Sequence, residues 1–483
     1  MDVDIILNDV NYSYVVNKIA LVAVMLTIAR GVYAQEATVH LSQDFVAQRA
    51  VEASASLRAA HAVVDAAKAN VDVAKLRYIP KTTLEFRYTR LSDFTPTPLL
   101  PPARGRIVGT PSEAGTINPP LTVAADLPTI AFPVVVDNWA LQASVLVPVS
   151  DYALRIRSAL LAARSAHESA AFDAARTRAT AIGDGLAVYF GWLRARELTV
   201  VAKTALESHR AHERDAKAAV AEGVAAKVDV LRAQTAVTNA EQLVLDAEHD
   251  VQVLDAQLRF LLGLEGAGRF ESLSALPVPP LPMAIAQAEQ EALAARRDLK
   301  SIKAQIATVR HLGAIAKDDR YPQAALAANA IYANPNTRRI PLTAEWFPTW
   351  DVSVVLRYSI DDAVSAGPRI AERDAQARAL EAKLDATKRA LRVELTEAHA
   401  SLLTARSRVV LADRAFETAT EAHRIVNLLY KEGKAPGALV LDAETDRVRA
   451  RVATLEARIG AQVAALRFDV ARGRYDGKAE SAR

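Results

Sequence analysis

Cysteine is absent from all 483 residues. That excludes disulfides, thiolate metal sites, a cysteine nucleophile and a lipid anchor on an N-terminal cysteine, so any attachment to a membrane must come from the fold itself. Glycine (18 residues) and aromatic side chains (6%) are scarce, which argues against several compact globular cores and for extended helical packing. Charge of one sign is also lacking. The 59 basic and 56 acidic side chains leave a net charge of +3, a balance that offers nucleic acid no basic field. Catalytic patterns are missing as well: neither Gly-x-Ser-x-Gly, nor a Walker A loop, nor His-Glu-x-x-His occurs. Gly183-x-Gly185 lacks the third glycine and the preceding strand of a dinucleotide site. His209-x-x-His212, beside Glu213, puts two imidazoles on one helical face without a third ligand and reads as a solvated face. No enzyme activity, metal or cofactor is expected.

What is present begins with Lys18, an apolar run from Ile19 to Ala29, and Val32-x-Ala34 before Gln35. These are the parts of an export signal over residues 1–34, and the run is too short to cross a bilayer as a helix. Asp2, Asp4 and Asp9 are foreign to the positive start of such a signal.

Helical periodicity follows from Ala37 to about Tyr78 and stops at Pro80. In "TTLEFRYTR", Leu84, Phe86 and Tyr88 alternate with Glu85, Arg87 and Thr89, which predicts a strand over about 82–90. Residues 91–133 hold nine prolines and read as a long exposed loop. "WALQASVLVPV" predicts a second strand over about 138–148, with Trp139 and Val145 opposite Gln142 and Ser144. From Asp151 to Val220 no proline interrupts about seventy residues. As one helix they would reach roughly 105 Å, too long for a globular domain to bury. A turn at 221–229 and a return helix from Val228 to Leu262 close the first unit, 35–275, and "LPVPPLP" opens a linker at 276–283.

The second unit, 284–472, repeats that order: a helix over 284–319, strands over about 323–332 and 350–360, a turn at 431–439, then a tail at 473–483. Glu222 to Thr235 aligned on Glu432 to Thr445 gives seven identities in fourteen positions. Leu193-x-Ala195-Arg196 recurs as Leu403-x-Ala405-Arg406, Trp139 as Trp350, and Ala74, Lys75 and Pro80 as Ala316, Lys317 and Pro322. Repeated anchors in one order mark a tandem duplication.

Ten-residue amphipathic strands suit a tilted membrane sheet, apolar outside and polar inside. Leu84, Phe86, Tyr88, Trp139, Val145, Trp350, Val352, Val354 and Leu356 would face lipid. Glu85, Arg87, Gln142, Ser144, Asp351 and Arg357 would face a lumen. Four strands cannot close a membrane barrel, so copies must combine, and twelve strands leave room for a polar lumen where eight would be filled by side chains.

The signal, the two repeats, the paired strands and the duplicated Glu-Gly…Val-Leu-x-Ala turn resemble the TolC family of outer-membrane efflux proteins over about 37–472. The resemblance implies a mainly α fold with a membrane β-barrel: a homotrimer whose 12-stranded β-barrel continues into a 12-helix α-barrel across the periplasm. It implies outer-membrane lipid around the strands, and a periplasmic adaptor with an inner-membrane pump as partners. The turns Gly223, Val224, Ala225 and Gly433, Lys434, Ala435 would meet the adaptor. Tyr430, Asp442 and Asp229 match positions near the closed end of the tunnel. Leu439 stands where the family pattern carries a second aspartate, and Ala435 leaves no basic partner at the tip. The competing expectation is a periplasmic coiled-coil adaptor without a barrel.

Overall fold

Serine capping and small-residue seams decide where this alanine-rich chain is helical. The computed structural model describes residues 38–93, 104–107, 123–126, 134–223, 225–266, 268–272, 276–340 and 342–474. The export signal, Val224 and the tail past Arg474 lie outside the described residues. The stretch expected as one helix from Ala37 to Tyr78 is three elements instead: β1 (Val39–Leu41), α1 (Gln43–Ala53) and α2 (Ala55–Leu76). Ser42 Oγ accepts from the Phe45 amide at 3.1 Å and Ser54 Oγ from the Leu57 amide at 3.1 Å. Each serine thus satisfies an amide that would otherwise be orphaned at a helix start.

The later elements, in chain order, are β2 (Lys81–Arg90), β3 (Arg104–Ile107), β4 (Val123–Asp126), β5 (Asp137–Val147), α3 (Val149–Ala153), α4 (Arg155–Ala221) and α5 (Lys227–Leu262). Then come β6 (Phe270–Ser272), α6 (Ile285–Ala295), α7 (Arg297–Asp318), β7 (Gln323–Asn334), β8 (Phe347–Arg357), α8 (Ile360–Lys431) and α9 (Gly437–Ala471). The proline-rich segment contains a short antiparallel pair, β3 on β4, where an irregular loop was expected. The last strand begins three residues before Trp350 and ends at Arg357, short of the expected 360, because α8 takes over from Ile360. The helix expected over 284–319 breaks at Arg296, whose ψ of 121° leaves the helical region. Its guanidinium is held by Asp298 at 2.7 Å and Glu394 at 2.8 Å.

The chain divides into two units, one of residues 65–169 and 302–382, the other of the remainder. The first holds an antiparallel sheet in the order β2-β5-β7-β8. The second is a helical bundle with two cores. In one, Trp192, Tyr189, Leu193 and Ile182 of α4 pack with Val46 and Ala50 of α1, Leu258 and Leu262 of α5, and Phe270 of β6. β6 pairs in parallel with β1, Val39 opposite Phe270. In the other, Leu391, Leu395 and Leu402 of α8 pack with Ala288 and Ala292 of α6, Leu299 of α7 and Phe468 of α9.

Matching elements have matching lengths: α1 and α6 are 11 residues each, α2 and α7 are 22 each, and α5 and α9 are 36 and 35. The return helices also end alike. Gly263 (φ +61°) and Gly473 (φ +75°) stand just past α5 and α9, and the amides of Leu264 and Arg474 reach back to Arg259 O at 2.9 Å and Asp469 O at 3.1 Å, the six-to-one bond of a Schellman cap. Each glycine abuts the break in its partner helix: a Cβ on Gly263 would lie 3.3 Å from Ala53 Cβ, and one on Gly473 3.1 Å from the Arg296 nitrogen.

Gly473→Ala should therefore lower stability by about 1–2 kcal/mol for the left-handed backbone alone. Gly460→Ala, inside α9 with nothing within 4 Å of the new methyl, should instead raise it by about 0.5–1 kcal/mol. Thermal unfolding of the two variants checks this; a Gly473→Ala midpoint at or above that of Gly460→Ala would contradict the cap.

Candidate functional site

In the sheet, cross-strand register fixes which side chains share a face. Leu84 is opposite Ala143, Phe86 opposite Leu141, Tyr88 opposite Trp139, and Val145 lies in one row with Thr82, Ala328 and Val352. Trp350, Val354 and Leu356 follow with Ala330, Leu326 and Ala324. On the single chain this face is uncovered: Leu84 is 74% exposed, Trp350 78% and Val354 76%. Aromatic rings gather at its two ends. Trp139 lies 4.2 Å from Tyr88, and Tyr332 4.9 Å from Trp346, near the strand ends that lead into the inter-strand connections. Tyr78 stacks on Tyr152 at 5.8 Å near the helix-bearing ends.

The opposite face is polar. Glu85 is opposite Gln142, and Ser144, Asn329 and Asp351 form one row. Glu85 pairs with Arg87, Gln142 Nε2 donates to Ser144 Oγ at 3.1 Å, and Asn329 Nδ2 donates to Asp351 Oδ2 at 2.9 Å. Asp351 also takes Arg338 from the β7–β8 connection. Arg357 is exposed at the end of β8. The outer edges of β2 and β8 have no strand beside them among the described residues.

In the helical unit the turns after α4 and α8 are both closed by glycine in the left-handed region, Gly223 at φ +75° and Gly433 at φ +70°. The Gly433 amide donates to Tyr430 O at 2.9 Å and the Lys434 amide to Leu429 O at 2.8 Å. At the first turn the Gly223 amide donates to Val220 O and the Ala225 amide to Ala219 O. Nothing lies within 4 Å of a Cβ on either glycine, so both tips are open surface. Lys434 pairs with Glu432 at 2.7 Å, and Ala435 is half-buried. Asp229 sits in the first turn of α5, where a carboxylate suits the helix dipole. Asp442 is exposed and makes no ion pair among the described residues.

Behind these turns the two histidines read as a solvated face prove to be packed inward. Ala202, Ala205, His209, His212 and Ala216 follow one another on α4 at steps of three and four, and His212 is only 8% exposed. That spacing is the seam of a coiled coil. Facing it are His423 and Tyr430 of α8, seven residues apart, and Glu444 of α9, 3% exposed. The Tyr430 ring is 5.3 Å from the His212 ring, and a Cβ on Gly437 would touch both. Glu444 Oε2 lies 3.2 Å from His423 Nε2. Both Glu444 oxygens also accept from Arg447, each at 2.7 Å. His209 Nδ1 is buried without a hydrogen-bond partner.

Burial holds His209, His212 and His423 below the ordinary imidazole range; Glu444 opposes the shift at His209 and His423, and Asp215 and Asp229 oppose it at His212. Burial likewise pushes the Tyr430 hydroxyl up, helped by Asp215 and Asp229, although no hydrogen bond joins Tyr430 to Asp229 among the described residues. A search for metal spacing misses this layer, because the histidines do not form a ligand set: no group of three or more His, Cys, Asp or Glu among the described residues could hold a metal. Continuing the alanine seam of α4 through 209 and 212 is the signal that finds it. No described helix is long and apolar enough to cross a membrane.

A family model described as outer membrane efflux protein matches residues 46–264 and 288–474. Among solved structures, the chain is similar to the outer-membrane channel OprN (TM-score 0.69, 19% identity, 90% of this chain and 91% of that one). It is similar also to the outer membrane protein VceC of Vibrio cholerae (0.68, 17%, 89% and 96%) and the outer membrane channel CmeC of Campylobacter jejuni (0.69, 14%, 94% and 92%). No curated relative matches in sequence.

Because Arg447 supplies two hydrogen bonds to a buried carboxylate, Arg447→Ala should leave Glu444 short of partners and cost about 1–3 kcal/mol. Hydrogen exchange should quicken in 437–447 and in the facing part of α4. Unchanged exchange there would mean that water already satisfies Glu444.

Proposed function

The chain belongs to the outer membrane efflux protein family, and from that premise we propose that it forms the exit duct of a tripartite efflux or type I secretion system, passively conducting substrates across periplasm and outer membrane. The observation that carries this reading is the four-stranded sheet, with one apolar face bounded by aromatic rings, one polar face and two unpaired edges. An open edge in hydrocarbon leaves amides and carbonyls unsatisfied at several kcal/mol each. Closure by three copies gives twelve strands, and rotational symmetry leaves no edge. Leu84, Phe86, Tyr88, Trp139, Val145, Trp350, Val352, Val354 and Leu356 then face lipid, while Glu85, Arg87, Gln142, Ser144, Asp351 and Arg357 line the lumen.

The two halves are tandem repeats, supported by the matched helix lengths and the paired glycine caps. Each presents one turn, Gly223-Val224-Ala225 or Gly433-Lys434-Ala435, to a periplasmic adaptor that is bound in turn to an inner-membrane pump. Tyr430, Asp229 and Asp442 stand at the periplasmic gate, and three copies of Asp442 would ring it. The adaptor reading is the weaker one, because an adaptor has no use for an uncovered apolar sheet face ahead of each long hairpin.

Mass measurement in detergent should give three copies. Val354→Arg puts a charge on the lipid face at a cost of about 2–4 kcal/mol near the midplane and should prevent assembly, whereas Ser353→Arg on the polar face should assemble. Equal behaviour of the two, or a stable monomer, would refute the barrel.

The tips are tested separately. Gly433→Val forces a β-branched residue into the left-handed region and should reduce export and adaptor crosslinking while trimers still form. Undiminished crosslinking would leave Gly433 a helix cap and nothing more.

A further inference from the structure

Nine histidines occur in the chain, and three of them, His209, His212 and His423, meet in the seam between the α4 hairpin and the α8–α9 hairpin, about two to four helical turns behind the tips. A coiled-coil seam made of alanine, valine and leucine does not need them. A polar layer there costs stability, and what it can supply in return is a fixed register or a switch.

We propose that this imidazole layer is an acid-sensitive lock: neutral, it packs α4 against α8 and α9; protonated, it drives the two hairpins apart at their turn ends. The charges that face it are few. From α9 come Glu444 and Arg447, from α8 His423 and Tyr430, from α4 itself Asp215, and from α5 Asp229. Glu444 is the only buried carboxylate among them, and Arg447 already occupies both of its oxygens. It can share one more proton, on His423 at 3.2 Å. Among the described residues no carboxylate pairs with His209, whose Nδ1 is buried and unpartnered, while the Asp215 near His212 is solvated. The layer therefore accepts one positive charge and resists the second and third. Each proton comes from solvent and binds an imidazole nitrogen, so no further reactant is needed.

The direction of the response follows from burial. Imidazoles held below their ordinary value bind protons more readily once the hairpins separate, so the packed arrangement is fully favoured above about pH 6.5 and loses stability as pH falls through the lowered values. In the duct reading the consequence is a periplasmic end that opens more easily in acid. The lock itself does not depend on that reading.

Because the chain has no cysteine, Ala218→Cys with Lys431→Cys places two spin labels, one on each hairpin, in otherwise native full-length protein diluted with unlabelled chain. Between about pH 7.5 and pH 5 the label distance should lengthen, with a slope steeper than one proton. The change should be lost in His209→Gln/His212→Gln/His423→Gln. Should that triple variant fail to assemble, His209→Gln and His212→Asn singly should each reduce the slope. A distance that does not move with pH, or one that moves undiminished in the variants, overturns the lock. Single-channel recording of the same proteins reads the duct separately: a conducting channel with no distance change removes the lock alone, and a distance change without conductance removes the duct alone.

Discussion

An unpaired strand edge is the constraint on which the rest of this molecule depends. β2 and β8 each offer a row of amides and carbonyls, and the face between them exposes leucine, valine and tryptophan at 37–78%. Water tolerates the edges but not so large an apolar face, and lipid tolerates the face but not the edges. In the proposed duct both demands are met by pairing the edges of separate copies with one another. The short β3–β4 pair does not relieve the constraint, since it is a sheet of its own. Every strand of the main sheet leads directly to or from a helix or inter-strand connection.

Helices of 67 and 72 residues place a different demand on the chain, because they must stay in register over many turns with little side-chain bulk. Alanine at buried seam positions, such as Ala202, Ala205, Ala216, Ala233, Ala240 and Ala247, allows close approach but gives weak registration. Registration comes from larger or polar features at intervals. Trp192 and Tyr189 fill one core beside β1 and β6, Arg296 ties its break to Asp298 and Glu394, and glycine caps at 263 and 473 seat the return helices against those breaks.

The legible parts of this fold were those whose period is short and whose punctuation is strong. Leu84-Glu85-Phe86-Arg87 and Val352-Ser353-Val354 alternate strictly, and register slips would invert every face, so these strands stand out in the sequence. The turns at Gly223 and Gly433 stand out because a left-handed residue tells glycine from everything else. Single-residue breaks at Ser54 and Arg296 interrupt helical periodicity without altering its phase, so the pattern reads through them. β1 and β6 are three residues each, too short for any alternation. The strand placement at Phe347 was obscured by Pro348, which tolerates a strand only where its missing amide is not needed.

The histidine layer was hidden for a further reason. Residue type suggested solvent, and ligand spacing suggested a metal, whereas seam phase alone gives the position. At steps of three and four from Ala205, a residue is inside whatever its polarity. There His209 and His212 share a layer with Glu444 and Arg447. The Glu444 carboxylate is already matched by the Arg447 guanidinium, so in the proposed lock the layer accommodates one proton, shared with His423, and not a second or third. In the proposed lock, replacing the imidazoles by leucine would strengthen the seam at every pH and remove its response to acid.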